Sequence, residues 1–583
     1  MFMKRKKKSK WCAVLVCVGT LLVQSVLPAS LAFATELPQK MPTTRPVKKG
    51  GTLHLGFVSD TPFKGIFAEE LSDDAATSSA ASFAIPSLFR SNSEHNYAKG
   101  GLADLSIDWK KKTITAKVSP KAKWSDGQPL TARDLAFSYE VIANKDSGSH
   151  RYNESLAEIE GMQAYHLGQA QKIAGLEEKD AKTLVIHYQQ MHPAMNIKGS
   201  KYLSNTALPY HYLKDIPMDK LASSDELRKK PLSYGAFVAQ KIVPGEAIEY
   251  VPNKYFIKKP KLDKLLFEVV ATSQAAAALK ARKFDVLMNE PSNVYAKVKK
   301  LKDYTVLGAR ELYYSYLGFK VGHADQAGVS VMNKNSVVAD RTLRQAMAYA
   351  MNVDQVSKKF GSGLSYRATS IVPDAFGKYH DSKAKGYPYD MKKANALLDK
   401  AGYKRQKDGY RTRPNGKPLT VRLLAYEDSN DFEAVVANYI EQWKKLGVRV
   451  KLVHGRFQDY NVMTEMLIND SSAFDMWMLA WSVSSEPTAH AVSFLPNAPY
   501  NFGHFATKEN TELINSFTKS KKAFNEKYLL KQFYKWQEYM DQEAFIVPLQ
   551  NTHTTLPVAK NVQGIDLEGG KGYYMWTEVG FAK

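Results

Sequence analysis

KAKWSDGQPLTARDLAFSY, residues 121–139, joins a tight turn to the start of a helix. Gly127 is typical of a turn whose backbone angle only glycine adopts without strain. Thr131 is placed to cap a helix, because Asp134 follows it at the spacing of a reciprocal cap. The apolar face of that helix would be Leu135, Tyr139 and Ile142. We expect these residues to hold the fold rather than to contact a ligand.

Strand and helix patterns alternate along the rest of the chain. The predicted strands are 52–57, a pair within 108–118, 181–188, 247–252, 265–270, 448–453, 474–481 and 545–547. The predicted helices are 341–351, a helix capped by Asp390 that ends at Gly402, 431–446 and most of 510–540. This alternation predicts α/β lobes.

The N-terminus has the layout of a secretory signal peptide. Residues 4–10 are basic, 11–27 are largely apolar, and Ala32-Phe33-Ala34 is a cleavage pattern. We expect cleavage after Ala34 and therefore export. A retained membrane anchor is the alternative, because the apolar run is nearly long enough to span a bilayer.

Both cysteines, Cys12 and Cys17, lie inside this predicted leader. The mature chain would contain none, which excludes disulfides, cysteine zinc sites and thiol catalysis. Cys17 loosely resembles a lipid-attachment site, but most of the apolar run still follows it. We therefore favour a cleaved leader over lipidation.

Composition bounds the class of protein. The chain has 583 residues, 44% hydrophobic and 11% aromatic, which is a globular composition with enough length for two or three domains. Its net charge of +23 comes from scattered lysines. An exported protein of this charge could bind an anionic cell-wall polymer or membrane surface. We expect no nucleic-acid binding, since no recognition motif accompanies the charge.

Five stretches, in order, resemble one family. They are 101–104 (GLAD), 121–139 (quoted above), 343–354 (LRQAMAYAMNVD), 389–402 (YDMKKANALLDKAG) and 474–481 (FDMWMLAW). Together they resemble the peptide/nickel class of solute-binding proteins, the oligopeptide-binding family of ABC importers. The resemblance covers residue 50 to about residue 565, and each stretch alone would be a weak signal.

The resemblance implies an α/β fold of two lobes, like the periplasmic binding proteins, with mixed sheets. It also implies a hinge between the lobes and an extra subdomain on the first lobe. Lobes of this kind close around a ligand. The expected division is 1–34 signal peptide, 35–49 polar tether, 50–64 with 200–312 and 545–583 first lobe, 65–199 extra subdomain, and 313–544 second lobe.

The function implied is that of an extracellular protein that captures oligopeptides and delivers them to ABC permease subunits. We expect a monomer at the cell surface, or in the periplasm if the source has an outer membrane. Neither a cofactor nor a metal is expected. The alternatives are a surface peptide sensor or adhesion protein that does not serve transport, and a carrier of a metal chelate or haem.

An enzyme is not expected. The chain has no G-x-S-x-G elbow and no H-E-x-x-H motif. The nearest thing to a histidine cluster, His187, His192 and His211, has a spacing that fits no usual metal site.

The family places its ligand strand edge and an ammonium anchor just after the second lobe's tryptophan, here Trp481. The candidate ligand-binding residues of this run are Ala480, Trp481, Ser482, Val483, Ser484 and Glu486. Backbone groups of the first three are implied to pair with peptide. The family's anchoring aspartate is missing, since Ser484 stands in its place. Glu486 is the nearest carboxylate; it is a candidate ammonium partner or a loop acid facing water.

A second set of candidates is aromatic. In the predicted hinge strand ELYYSYLGF, residues 311–319, alternation puts Tyr314 and Tyr316 on one face and Tyr313 and Ser315 on the other. One face should line the cleft, where tyrosine packs well against peptide side chains, and the other should enter the core. The pattern leaves open which face is which. A further aromatic loop supplies the candidates Tyr500, Asn501 and Phe502.

Overall fold

The computed structural model describes residues 36–42, 45–72, 74–427, 430–568 and 572–583. The predicted signal peptide, with Ala34 and both cysteines, lies outside the described residues. None of the described helices combines the length and the apolar character that a membrane span requires.

The strands are numbered in chain order through the described residues. They are β1 (Thr52–Val58), β2 (Arg90–Ser91), β3 (Tyr97–Ala98), β4 (Ala103–Asp108), β5 (Thr113–Val118), β6 (Leu176–Asp180), β7 (Thr183–His187), β8 (Phe237–Val243), β9 (Ala247–Pro252), β10 (Lys264–Val270), β11 (Val286–Met288), β12 (Tyr304–Phe319), β13 (Gly322–Ala324), β14 (Ser330–Met332), β15 (Tyr366–Arg367), β16 (Thr420–Leu424), β17 (Arg449–Leu452), β18 (Met476–Ser482), β19 (Ile546–Ala559), β20 (Val562–Gln563) and β21 (Gly580–Phe581).

The α-helices are numbered in the same way. They are α1 (Ala75–Ala81), α2 (Ala132–Ala143), α3 (Glu154–Ala157), α4 (Met162–His166), α5 (Tyr210–Leu213), α6 (Asp225–Arg228), α7 (Thr272–Lys280), α8 (Ser292–Val298), α9 (Arg341–Tyr349), α10 (Val353–Phe360), α11 (Met391–Lys400), α12 (Asn430–Leu446), α13 (Tyr460–Ile468), α14 (Lys508–Thr518), α15 (Glu526–Glu543) and α16 (Gly572–Glu578). The single helical region predicted over 510–540 is thus two helices, separated by the short 3₁₀ turn Lys521–Phe524.

One mixed sheet runs through the whole molecule. Its order is β17-β16-β18-β12-β19-β11-β1-β10-β9-β8, and β15 pairs with β19 beside this path. β1 is parallel to β10 and β11, whereas β12 is antiparallel to both β18 and β19. A separate four-stranded sheet, β4-β5-β7-β6, belongs to the predicted extra subdomain.

The long strands β12 and β19 pass between the two halves of this sheet. Their pairing shifts register between Arg310 and Tyr314 and again between Ser315 and Tyr316. Such irregularities loosen a ladder locally and bend its strands. The two strands therefore connect the halves through a short segment of weakened pairing.

One large hydrophobic cluster includes residues of both the first lobe and the predicted extra subdomain. Leu55 and Phe267 of the main sheet belong to the same buried cluster as Ile114 and Trp124 of the subdomain. The second lobe has its own core, built around Trp443, Trp477 and Trp536. The residues of the predicted subdomain are thus packed against the first lobe.

The quoted stretch 121–139 forms the predicted turn and cap. Gly127 has a φ of 95°, the left-handed region that favours glycine. The side chains and amides of Thr131 and Asp134 form a reciprocal capping box at the start of α2. Asp134 also accepts a hydrogen bond of 3.2 Å from the indole of the buried Trp124. As expected, these residues hold the fold.

In the part that is described, the segment predicted as a polar tether packs against the first lobe. Gly308 N donates to Pro38 O at 3.0 Å, and Met41 N donates to Ile565 O at 2.9 Å. Met41 is buried in the first-lobe core. Since backbone and side chain are both engaged, this segment is a part of the first lobe; its polar, proline-containing sequence gave no sign of those partners.

Candidate functional site

A cavity of about 660 Å³ lies between the two lobes, on the strands that connect them. β12 contributes Glu311, Tyr313 and Ser315, and β19 contributes Gln550 together with residues 552–556. These side chains carry hydroxyl, amide and carboxylate groups, which can orient a polar ligand while the walls exclude water.

Each lobe supplies one wall of the cavity. The first-lobe wall includes Phe57, Met288, Asn289, Glu290 and Ser292. The second-lobe wall includes Tyr426, Phe432, Val435, Tyr439, Met478, Leu479 and Ala480. Because both lobes contribute, closure of the hinge would enclose a ligand and opening would release it.

The cavity uses only one face of the tyrosine strand. Tyr313 and Ser315 line it, together with Glu311, which has the same parity along β12. Tyr314 and Tyr316 are fully buried on the opposite face, in the core of the second lobe. The Tyr314 hydroxyl forms a 2.5 Å hydrogen bond with His490 Nε2. The predicted ligand roles of Tyr314 and Tyr316 are therefore wrong, because their rings and hydroxyls have partners inside the lobe.

The run after β18 begins beside this cavity. Ala480 lines it, and β18 pairs antiparallel with β12 as far as Ser482 opposite Tyr313. On the other side, β16 reaches only Met476 and Trp477. From residue 478 onward, this outer edge of β18 has no strand beside it among the described residues. An extended peptide backbone could pair there.

Trp481 directs its ring away from that edge, into an aromatic cluster of the second lobe. Its ring centroid lies 4.5 Å from His490 and 6.1 Å from Tyr500. Tyr500 is 54% exposed, so this cluster reaches the protein surface. Ser482 and Ser484 are exposed and Val483 is half-buried, with Val483 N donating to Leu312 O at 2.9 Å.

Asn501 and Phe502 are structural. The Asn501 amide nitrogen donates to Phe505 O at 2.8 Å, and its oxygen accepts from Phe505 N at 3.0 Å. Phe502 is buried with its ring against Trp477. These contacts leave neither side chain available to a ligand, so the ligand roles predicted for both residues are wrong.

Glu486 lies elsewhere, in a cavity of about 540 Å³ between the extra subdomain and the second lobe. It is only 5% exposed. One carboxylate oxygen accepts from Thr488 N at 2.8 Å and from the Thr488 hydroxyl at 2.5 Å. Burial raises its pKa, while the Thr488 hydrogen bonds oppose that rise. Glu486 is therefore neither a water-facing loop acid nor a wall of the interlobe cavity.

The cavity wall also contains two carboxylates that were not predicted from the sequence, Glu290 and Glu311. Glu290 Oε2 accepts from the Thr555 hydroxyl at 2.5 Å, and Oε1 is buried with no hydrogen-bond partner among the described residues. Burial raises the pKa of Glu290 to about 7, against the lowering effect of the Thr555 bond. Burial also raises the pKa of Glu311. Parity with Tyr313 could have identified Glu311, but Glu290 reaches the cavity from a loop without any local pattern.

Two α/β lobes, connected by crossing strands with a cavity between them, define a class of proteins that bind a ligand by closing around it. The sequence model of the bacterial extracellular solute-binding proteins, family 5 Middle, matches residues 98–502. The chain belongs to this family, a family of binding proteins. The predicted family and fold class are thereby confirmed.

Individual relatives agree with this assignment. The chain is 39% identical to the oligopeptide-binding protein OppA of Lactococcus lactis subsp. cremoris (strain SK11), over 96% of this chain and 98% of that protein. A solved structure of lactococcal OppA complexed with an endogenous peptide in the closed conformation is 38% identical, with a TM-score of 0.72. It covers 91% of this chain and 100% of that one. AppA from Bacillus subtilis, solved with a nonapeptide, is 20% identical with a TM-score of 0.64 and shows similarity of fold alone.

Proposed function

We propose that this protein captures oligopeptides in the interlobe cavity and delivers them to the permease subunits of an ABC importer. The observation that carries the proposal is the cavity itself, which joins a free strand edge to polar side chains from both lobes. The relatives described above, oligopeptide-binding proteins that match nearly the whole chain, support peptide as the ligand.

In the proposed complex, the peptide backbone pairs with the outer edge of β18 near Ala480, Trp481 and Ser482. Strand addition supplies affinity without reading side chains, since every peptide offers the same backbone groups. Tyr313 packs against the peptide from the hinge strand. Val483 and Ser484 continue the run at its exposed end, where the peptide can leave the cavity.

The lobes proposed here comprise 50–64 with 200–312 and 545–583 for the first, and 313–544 for the second, with 65–199 as the extra subdomain. The register shifts after Arg310 support a hinge near the boundary between residues 312 and 313. The described residues of 35–49 join the first lobe. We place the protein outside the cell as a monomer, after cleavage behind Ala34, with its positive charge available to anionic wall or membrane polymers.

The direct test of the function is to identify what the protein holds. The chain without residues 1–34 should be purified natively, and its bound small molecules released by denaturation and analysed by mass spectrometry. After refolding, calorimetry should show binding of a mixed peptide pool. Peptides should be recovered and should bind again; a protein that retains none and binds none would refute the proposal.

Strand addition has a sharper test in the ligand. Methylation of alternate backbone nitrogens removes donors on one edge of an extended peptide and leaves the other edge intact. Two peptides methylated in opposite phase should differ clearly in affinity. Equal affinities of the two, or no loss for either, would argue against pairing with β18.

A further inference from the structure

The interlobe cavity has a charge opposite to that of the protein. The chain carries 81 Lys and Arg against 58 Asp and Glu. Among the described residues that line the cavity, however, there is no Lys or Arg, while Glu290 and Glu311 both line it. The other ionisable side chains there are His553 and the tyrosines.

Among the described residues, neither carboxylate has a cationic partner. The contact of Glu290 is with the neutral Thr555 hydroxyl, and its second oxygen has no hydrogen-bond partner in the described chain. Glu311 forms no ion pair within the same residues. Its basic neighbour Arg310 is engaged with Asp374 at 3.2 Å instead. His553 Nδ1 lies 3.1 Å from Leu364 O, so this nitrogen is engaged with the backbone rather than with either carboxylate.

We propose that the cavity selects oligopeptides that carry a basic side chain, Lys or Arg, which pairs with Glu290 and Glu311. This selectivity rests on the proposed peptide-binding function and adds to it the chemical class of the peptide. The two carboxylates belong to different elements, the loop after β11 and the strand β12, and both line the cavity. A guanidinium or ammonium group that enters between them compensates charges that would otherwise be enclosed without a partner when the lobes close.

Electrostatic energies favour binding of a basic side chain over a neutral one. Taking a carboxylate out of water without a partner is unfavourable, whereas an opposite charge recovers much of that cost. An acidic side chain in the same place would add repulsion at short range. Peptides with a basic side chain should therefore bind most tightly, neutral ones less tightly and acidic ones most weakly. The carboxylates inside the cavity, rather than the positive outer surface, should cause these differences in affinity.

The test uses peptides whose termini are blocked, so that only the side chain differs in charge. Alanine-rich peptides, acetylated and amidated, should carry a single Arg, Gln or Glu at each position in turn. Calorimetry at about pH 8, where carboxylates are ionised, should give one or more positions at which Arg binds about tenfold more tightly than Gln. At those positions the Glu peptide should bind more weakly than both.

Variants then assign the effect to the cavity. Glu311→Gln and Glu290→Gln keep the size of each side chain and remove its charge, so each should reduce the Arg preference several-fold and the pair should abolish it. Glu427→Gln is the matched control, because Glu427 is exposed beside the lining residue Tyr426 without lining the cavity itself. It should leave the preference intact.

The outcomes separate this selectivity from the underlying function. Arg, Gln and Glu peptides that bind equally well at every position would overturn the selectivity and leave peptide binding standing. A preference that survives in the double variant would also overturn it, because the charge would then act from elsewhere. If no peptide binds at all, the proposed function fails and the selectivity fails with it.

Discussion

The buried side chain of His490 makes the stability of the second lobe depend on pH. His490 is buried, and its ring packs against Trp481 and Phe494. Burial lowers the pKa of His490 to about 3. The unfolded chain takes up this proton near the ordinary histidine pKa, and the folded chain refuses it until the pH is far lower.

We therefore expect a loss of stability on acidification that His490 causes. The contribution is complete above about pH 6.5 and is lost as the pH falls toward 3, by up to about 1.4 kcal/mol per pH unit. Denaturant titration at about pH 7 and pH 5 should show a smaller decrease for His490→Gln than for the native chain. The exposed His150→Gln is the control and should retain the native decrease.

The two faces of the tyrosine strand should separate binding from stability. Tyr313→Ala removes a cavity wall and should weaken peptide binding with little change in the free energy of unfolding. Tyr314→Ala empties a buried site and should cost about 3–5 kcal/mol of stability. Calorimetry and denaturant unfolding of both variants test this; a binding loss confined to Tyr314→Ala would reverse the assignment of the faces.

At the scale of elements, the sheet of the second lobe depends on one close approach. Gly318 on β12 lies directly beside the indole of Trp477 on β18, its cross-strand partner, and a Cβ at Gly318 would overlap that ring. The close packing of the two strands here also positions the outer edge of β18 that we propose for peptide.

Gly318→Ala should therefore destabilise the protein by about 1–3 kcal/mol through overpacking. The smaller ring of Trp477→Phe should relieve the overlap, so the two changes together should cost less than their sum. Denaturant unfolding of both single variants and the double variant measures this coupling. Strict additivity would mean that the Trp477 indole does not cause the destabilisation by Gly318→Ala.

At the scale of the whole molecule, the extra subdomain contacts the second lobe across the cleft. Lys378 of the second lobe lies 2.7 Å from Glu94 of the subdomain, and the Ser485 hydroxyl donates to Lys198 O at 2.7 Å. Trp109 packs edge-on against Phe524 at 5.1 Å. Since these groups belong to parts that the hinge would move apart, their contacts favour the closed arrangement.

We expect Glu94→Gln to speed peptide release. A half-exposed ion pair contributes about 0.2–1 kcal/mol, which corresponds to an increase of up to about fivefold in the dissociation rate. Glu526→Gln is the control, because Glu526 pairs with the same Lys378 from within the second lobe. Equal release rates in the two variants, measured by stopped flow, would show that the contact of Glu94 does not contribute to closure.

Much of this architecture follows from local chemistry that the sequence states directly. The turn at Gly127 and the cap at Thr131 need only their own neighbours, and the periodicity of α9 and α12 marks one apolar face on each helix. The family and the two-lobed fold therefore followed from short motifs in order.

The ligand site depends on contacts between distant segments, which no local pattern encodes. Alternation placed Tyr313 and Tyr314 on opposite faces, but only the packing of the second lobe showed which face is buried. By sequence Glu486 is a candidate partner for a ligand, but in the fold Thr488 and the extra subdomain enclose it. Glu290 and Glu311 line one cavity because β12 and β19 connect the lobes. Burial in that cavity, a property of the assembled fold, raises the pKa of both carboxyl groups.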